Sequence, residues 1–151
     1  MTNLKIGDQA PDFTACDENG TLHSLADYKG KKIVLFFYPK ANTPGCINEA
    51  CDLRDNYDRF VANGYVLLGV SADSVKIQKK FTEKYNFPFP LLADESKEVI
   101  NAYGVWGPKK FMGREFDGIH RTTFVINQEG IIEDIILKVK TKEHTNQLLK
   151  I

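Results

Sequence analysis

The chain is 151 residues long and 42% hydrophobic, with 20 basic and 20 acidic side chains and a formal net charge of zero. That length is enough to bury one core without disulfide staples, so residues 1–151 read as one domain. The even charge leaves no basic footprint for nucleic acid, no run reaches the ~20 apolar residues of a membrane span, and "MTNLKIGDQAPDF" lacks the parts of a secretory signal. The expectation is a cytoplasmic protein with a small neutral or weakly charged substrate, in a compartment where paired cysteines signal catalysis, metal or redox sensing rather than structure.

In chain order, "DENGTLHSL" reads as a hairpin turning at Asn19–Gly20, and "KGKK" as a turn entering a strand. "KKIVLFFYP", Lys31 to Pro39, is a continuous apolar run of the kind buried on both faces of a sheet. Residues 44–63 place Ile47, Ala50, Cys51, Tyr57, Phe60 and Val61 at helical spacing. "GYVLLGVSAD" reads as a second buried strand, followed by a helix over 75–85, a short extended piece in "PFPLLAD" and a short helix over 95–103. Tyr103, Trp106, Phe111 and Phe116 are read as core or loop-covering aromatics, and Lys109, Lys110 and Arg114 as a solvated face. "GIHRTTFVINQEGIIEDIILKV" gives two strands joined by a turn at 127–130, and residues 141–149 a closing helix. The order predicts an α/β fold: a central mixed sheet covered by helices on both faces, with an N-terminal β-hairpin extension.

The chemistry concentrates in "YPKANTPGCINEAC", where a buried strand hands over to a helix. Thr43 suits the N-cap, Pro44 the first helical position, and Gly45 and Cys46 the next two. Backbone N–H groups point outward there, and the positive end of the helix dipole favours an anion within the first turn. Cysteines at helix N-termini are commonly held as the thiolate, the nucleophilic form, so Cys46 sits in the activating position and Cys51, five residues on, gains much less. In an ideal helix their Cα atoms lie roughly 8.7 Å apart, against a limit of about 7 Å for a disulfide. Any bond between them requires the helix start to unwind, which suits a catalytic cycle better than a static staple. His23, His120 and His144 are scattered, with no C-x-x-C or H-x-x-x-H pair, so neither metal nor cofactor is expected. The residues alone support a redox-active or nucleophilic cysteine, with no histidine near Cys46 in sequence to act as its base.

The segment "YPKANTPGC" resembles the P-x-x-x-T-x-x-C signature of peroxiredoxins. "IGDQAPDFTACDENG", "TPGCINEACDLRD" and "YGVWGPKKFMGREFDGIHRTTFVI" are similar, in matching order, to the bacterioferritin-comigratory-protein or PrxQ subfamily. The resemblance implies a thioredoxin-like fold and a thiol-specific peroxidase acting on hydrogen peroxide and organic hydroperoxides. In that reading Cys46 is the peroxidatic cysteine, which becomes sulfenic acid, and Cys51 the resolving cysteine, which closes an intrachain disulfide. A thioredoxin or similar dithiol would recycle it. Thr43 would hydrogen-bond sulfur and peroxide, or cap the Cys46 N–H instead. Pro39 would shield the site, Arg121 would hold the thiolate and orient the peroxide, and the Gly45 and Cys46 N–H groups would stabilise the departing oxygen. The subfamily resemblance also implies a monomer and gives Cys16 no catalytic place. Two other functions compete: a thioredoxin-like dithiol–disulfide exchanger, and a redox-sensing module that signals to a partner.

Overall fold

The computed structural model describes residues 2–149. Its central element is β3 (Lys32–Phe37), whose side chains are buried on both sides of the sheet. Ile33, Leu35 and Phe37 enter one core cluster, and Val34, Phe36 and Tyr38 the other. The period-two alternation of a strand thus explains why the segment reads as an unbroken apolar run: each face has its own core.

Seven strands form the main sheet in the order β2-β1-β5-β4-β3-β8-β9. The strands are β1 (Thr14–Cys16), β2 (Leu22–Ser24), β3, β4 (Tyr65–Ser71), β5 (Leu91–Ala93), β8 (Thr122–Ile126) and β9 (Ile132–Ile136). β3, β4 and β5 run parallel, while β8 and β9 extend the sheet antiparallel beyond β3. The expected N-terminal hairpin is β1–β2, docked antiparallel to β5 through Cys16 and Ala93. The mixed sheet flanked by helices is therefore observed.

Helices α1 (Pro44–Asp55), α2 (Tyr57–Ala62), α3 (Val75–Tyr85) and α5 (His144–Leu149) supply Ala50, Leu53, Phe60, Phe81 and Leu148 to one core cluster. Helix α4 (Glu98–Ala102) brings Val99 and Ile100 to the other, with Phe13 and Tyr103. The helix over 75–85 has the expected bounds, its N-cap Ser74 accepting from the Ile77 N–H.

Two readings need correction. Residues 44–63 form two helices, because Asn56 leaves helical geometry at φ −114°, ψ 15°. Its side-chain amide donates to the Asp52 carbonyl at 2.8 Å, the kind of local competition that makes asparagine a poor helix interior. The aromatic segment is also a hairpin rather than a core or loop cover throughout. β6 (Trp106–Phe111) and β7 (Arg114–Ile119) pair antiparallel as a separate two-stranded sheet. Met112 and Gly113 turn it with φ of 51° and 79°, the left-handed pair a two-residue hairpin loop requires. Tyr103 is buried as expected, whereas Phe111, Met112 and Phe116 project into solvent.

Candidate active site

Helix α1 starts beyond the C-terminal end of β3, where the chain must turn sharply to cover the sheet. Tyr38 still bonds the β4 backbone through its N–H, at 3.0 Å from the Val70 oxygen. Asp73, at the end of β4, then catches the connecting loop: its Oδ2 accepts from the Ala41 N–H at 2.8 Å and from the Ser71 hydroxyl at 2.6 Å. Asn42 takes the left-handed conformation, φ 61°, which asparagine tolerates better than most residues. Thr43 is the N-cap, extended at φ −103°, ψ 154°, with Pro44 opening the helix. Cys46 consequently occupies the first turn, as the sequence predicts.

The Thr43 hydroxyl does not serve as the helix cap weighed for it. It makes no side-chain cap and instead donates to the Lys40 carbonyl at 2.7 Å. The first-turn N–H groups, including those of Gly45 and Cys46, gain no help from it. The Thr43 oxygen keeps lone pairs to accept a hydrogen bond from a ligand.

Cys46 is 1% exposed. Arg121, the residue before β8, reaches its sulfur: Nη2 donates to Sγ at 3.3 Å, and Nη1 donates to Glu49 Oε1 at 2.7 Å. Arg121 is charged here, its ionised form supported by Glu49 and Cys46 against the cost of burial. Glu49 lies one helical turn after Cys46, on the same face, and is completely buried. The guanidinium fork thus spans a carboxyl and a sulfur on one helix face, a geometry a lysine does not reproduce. Gly45 keeps the space open, since a Cβ there would stand 2.9 Å from Arg121 Nη2.

Cys51 lies on the same helix, partly buried, and both cysteines are free thiols. Burial pushes the Cys51 thiol pKa up, with a smaller opposing pull from Arg54. It therefore stays protonated, a weak nucleophile, while α1 is intact. Past it, Asp52 Oδ2 accepts the Thr145 N–H at 2.7 Å, tying α1 to the first turn of α5. Pro39 lines a cavity of about 350 Å³ with Lys40, Asp73, Trp106, Lys109 and Phe116. The Lys109 ammonium, read as solvated, is half-buried and donates to the Ile119 carbonyl at 2.9 Å. Cys16 sits in β1, on the N-terminal hairpin.

Sequence reasoning brings Thr43, Cys46, Cys51 and Arg121 to this region but misses Glu49, Asp73 and His144. Glu49 could have been found from its spacing, since it faces the same side of α1 as Cys46. No local pattern marks Asp73 or His144, each of which also has a partner in a distant segment: Ala41 for Asp73, and Thr123 for His144.

A family model described as the AhpC/TSA family matches residues 6–135. Peroxiredoxin Bcp of Bacillus subtilis (strain 168) is 46% identical over 147 residues, covering 97% of this chain and 94% of its own. Peroxiredoxin Bcp of Escherichia coli (strain K12) is 44% identical over 149 residues, covering 99% and 96%. Among solved structures, the bacterioferritin comigratory protein of Xanthomonas campestris, described for its alkyl peroxide reduction activity, superposes with a TM-score of 0.88 at 33% identity, over 99% of this chain and 96% of that one.

Proposed function

This chain belongs to the AhpC/TSA family, as a peroxiredoxin of the bacterioferritin-comigratory-protein type, and from that premise we propose how its own residues carry out a thiol-dependent peroxide reduction. The observation that carries the reading is the Arg121 guanidinium, held at one nitrogen by buried Glu49 and placing the other 3.3 Å from the Cys46 sulfur.

The Cys46 thiolate attacks one oxygen of a hydroperoxide. An S–O bond forms, the O–O bond breaks, and the departing alkoxide or hydroxide takes up a proton to leave as alcohol or water. Negative charge moves from sulfur to the leaving oxygen, so donors already aimed at the site stabilise the transition state without reorganising. Arg121 and the Gly45 and Cys46 N–H groups fill that role. The Thr43 oxygen accepts a hydrogen bond from the hydroperoxide O–H, and Pro39 limits water at the mouth.

The resulting Cys46 sulfenic acid condenses with the Cys51 thiol, releasing water and forming the disulfide. Both residues lie on continuous helix, so this step needs the start of α1 to open. A thioredoxin-type dithiol then reduces the bond by exchange, becoming oxidised in turn.

Burial weighs against the competing functions. A dithiol exchanger needs its attacking sulfur reachable by a protein disulfide, whereas a sulfur 1% exposed admits a molecule the size of a peroxide far more readily. A sensor needs no second thiol on the same helix. Among the described residues no helix is long and apolar enough to cross a membrane. We place the protein in the cytoplasm, acting as a monomeric single domain over 1–151.

Competition for hydrogen peroxide against a haem peroxidase of known rate tests the reading. The reduced protein should consume peroxide orders of magnitude faster than a free thiol, and Cys46→Ser should not. Equality with free thiol in the parent protein overturns the function. Mass spectrometry after one equivalent of peroxide should find Cys46 joined to Cys51; a bond to Cys16 or to a second chain overturns the resolving assignment.

A further inference from the structure

Behind Arg121 lies a buried polar cluster that the peroxide chemistry above does not use. Glu49 Oε2 has no hydrogen-bond partner, although His144 Nε2, from α5, stands 3.5 Å away and is itself completely buried. The hydrogen-bond network assigns the imidazole's protons. Gln147 donates through Nε2 to the Lys138 carbonyl at 2.9 Å. Its Oε1 accepts from the Lys140 N–H at 2.9 Å, so the same oxygen accepts from His144 Nδ1, also at 2.9 Å. Nδ1 therefore carries a hydrogen. In the neutral ring Nε2 is then a lone pair, which accepts from the Thr123 hydroxyl at 2.8 Å.

An ionised Glu49 would thus turn a bare carboxylate oxygen toward a nitrogen lone pair inside the protein, an arrangement with no donor between two acceptors. One additional proton resolves it, either on Glu49 Oε2 facing the imidazole or on His144 Nε2 facing the carboxylate. Burial shifts both groups toward their neutral forms: it pushes the Glu49 carboxyl up to about 7, with Arg121 pulling the other way, and it lowers His144. Other ionisable groups near Glu49 among the described residues include Cys46 and Asp52 on its own helix and Arg121 before β8. Asp52 opposes ionisation of Glu49 and Arg121 favours it. Lys109 of β6 acts one step removed, in the field of Arg121 and Cys46.

We propose that His144 is a positioning residue for the peroxidase reaction: with Glu49 it holds a single buried proton, and the presence of that proton decides whether Arg121 serves the Cys46 sulfur alone or is shared with a carboxylate. With the proton in place the pair is neutral and the guanidinium charge is available to the thiolate and to the leaving oxygen. When the proton departs, a full negative charge appears one helical turn from the sulfur and draws on the same guanidinium. The rate of peroxide reduction then follows the protonation of the Glu49–His144 pair. This inference rests on the peroxidase function proposed above.

The test is the second-order rate constant for hydrogen peroxide from pH 5 to 9, in the full chain and two variants, with urea unfolding to check that each is folded. In His144→Gln, a side-chain amide can donate to Glu49 Oε2 but takes up no proton, so Glu49 ionises at lower pH than in the parent. Outright loss of one preorganised donor costs on the order of 100-fold in rate, so a guanidinium shared with a full carboxylate charge predicts a loss of about tenfold. His144→Gln should accordingly be about tenfold slower than the parent at pH 6 and agree within about twofold at pH 9, where both hold an ionised Glu49. Thr123→Val removes the hydroxyl that competes for Nε2, so the pair should keep its proton to higher pH and the neutral-range inflection should move upward. A packing role alone would slow both variants by a constant factor at every pH. Profiles that superimpose after scaling, or that shift in the same direction in both variants, overturn the proposal. Should His144→Gln fail to fold, an unmoved inflection in Thr123→Val does so alone. A parent protein no faster than free thiol would instead sink the peroxidase reading.

Discussion

Gly45→Ala separates the stability of α1 from its chemistry. A Cβ at position 45 would lie 2.9 Å from Arg121 Nη2 and 3.7 Å from its Cζ, where ordinary contact begins near 3.4 Å. The guanidinium must therefore give way by about 0.5 Å, and it is not free to do so, being held by Glu49 at 2.7 Å on its other nitrogen. A misplacement of about 1 Å in a catalytic array costs on the order of 100-fold in rate, so half of that predicts a loss of about tenfold. Stability should move the other way or not at all, because replacing a helical glycine with alanine favours the helix by up to ~1 kcal/mol. Position 45 is not among the residues with positive φ, so alanine meets no backbone strain. The assay pairs peroxide kinetics with urea unfolding. A variant that keeps its rate within twofold of the parent, at equal or higher stability, would refute the claim that Arg121 must sit where it does.

Thr43→Ala should reduce the peroxide rate more than tenfold while costing less than the ~1 kcal/mol of a lost N-cap, since the hydroxyl bonds Lys40 rather than the helix; normal turnover in the folded variant would remove Thr43 from the site. In Cys51→Ser, one equivalent of peroxide should leave sulfenic acid on Cys46 and excess should drive it to sulfinic acid, with no intrachain disulfide by mass spectrometry; an undiminished disulfide yield would reassign the resolving thiol. Glu49→Gln tests the buried carboxyl by pH. The folded value of about 7 lies above the reference of 4.5, so the native state holds a proton the unfolded chain releases, and its stabilisation, complete below 4.5, is lost as pH rises through 7. Two and a half units correspond to roughly 3 kcal/mol. Relative to the parent, the variant should gain about that much between pH 4.5 and pH 8 in urea melts, and a constant difference would contradict the assignment.

How far the sequence reveals this molecule depends on the distance over which each signal acts. β3 is legible because a strand buried on both faces leaves an uninterrupted apolar run, and the start of α1 because Thr43, Pro44 and Gly45 each carry a local preference. Cys46 takes its place in the first turn from that same local position. The β6–β7 hairpin escapes because Pro108 and the flanking charges argue against a strand, and its turn uses Met112 where asparagine or aspartate would have signalled one. The break at Asn56 escapes because helical spacing of apolar residues continues across it. Glu49 and His144 escape for a deeper reason: a glutamate and a histidine in helices ordinarily face solvent, and only the packing of α5 against α1 turns both inward. Arg121 is legible by resemblance, yet its job is defined by a carboxyl from another segment.

The Asp52–Thr145 contact sets the scale of the rearrangement that joins the two sulfurs. It lies immediately beyond Cys51, so the helix is anchored to α5 just where the resolving thiol ends the segment that has to move. Opening the chain between Pro44 and Cys51 would draw buried Cys46, Glu49 and Ala50 out of the core, while Asp52 stays tied to α5. On the proposed cycle, the lifetime of oxidised Cys46 then depends on how readily those eight residues open. Substitutions in that segment can lengthen or shorten the window in which a second peroxide arrives, and so set how much oxidant the protein survives.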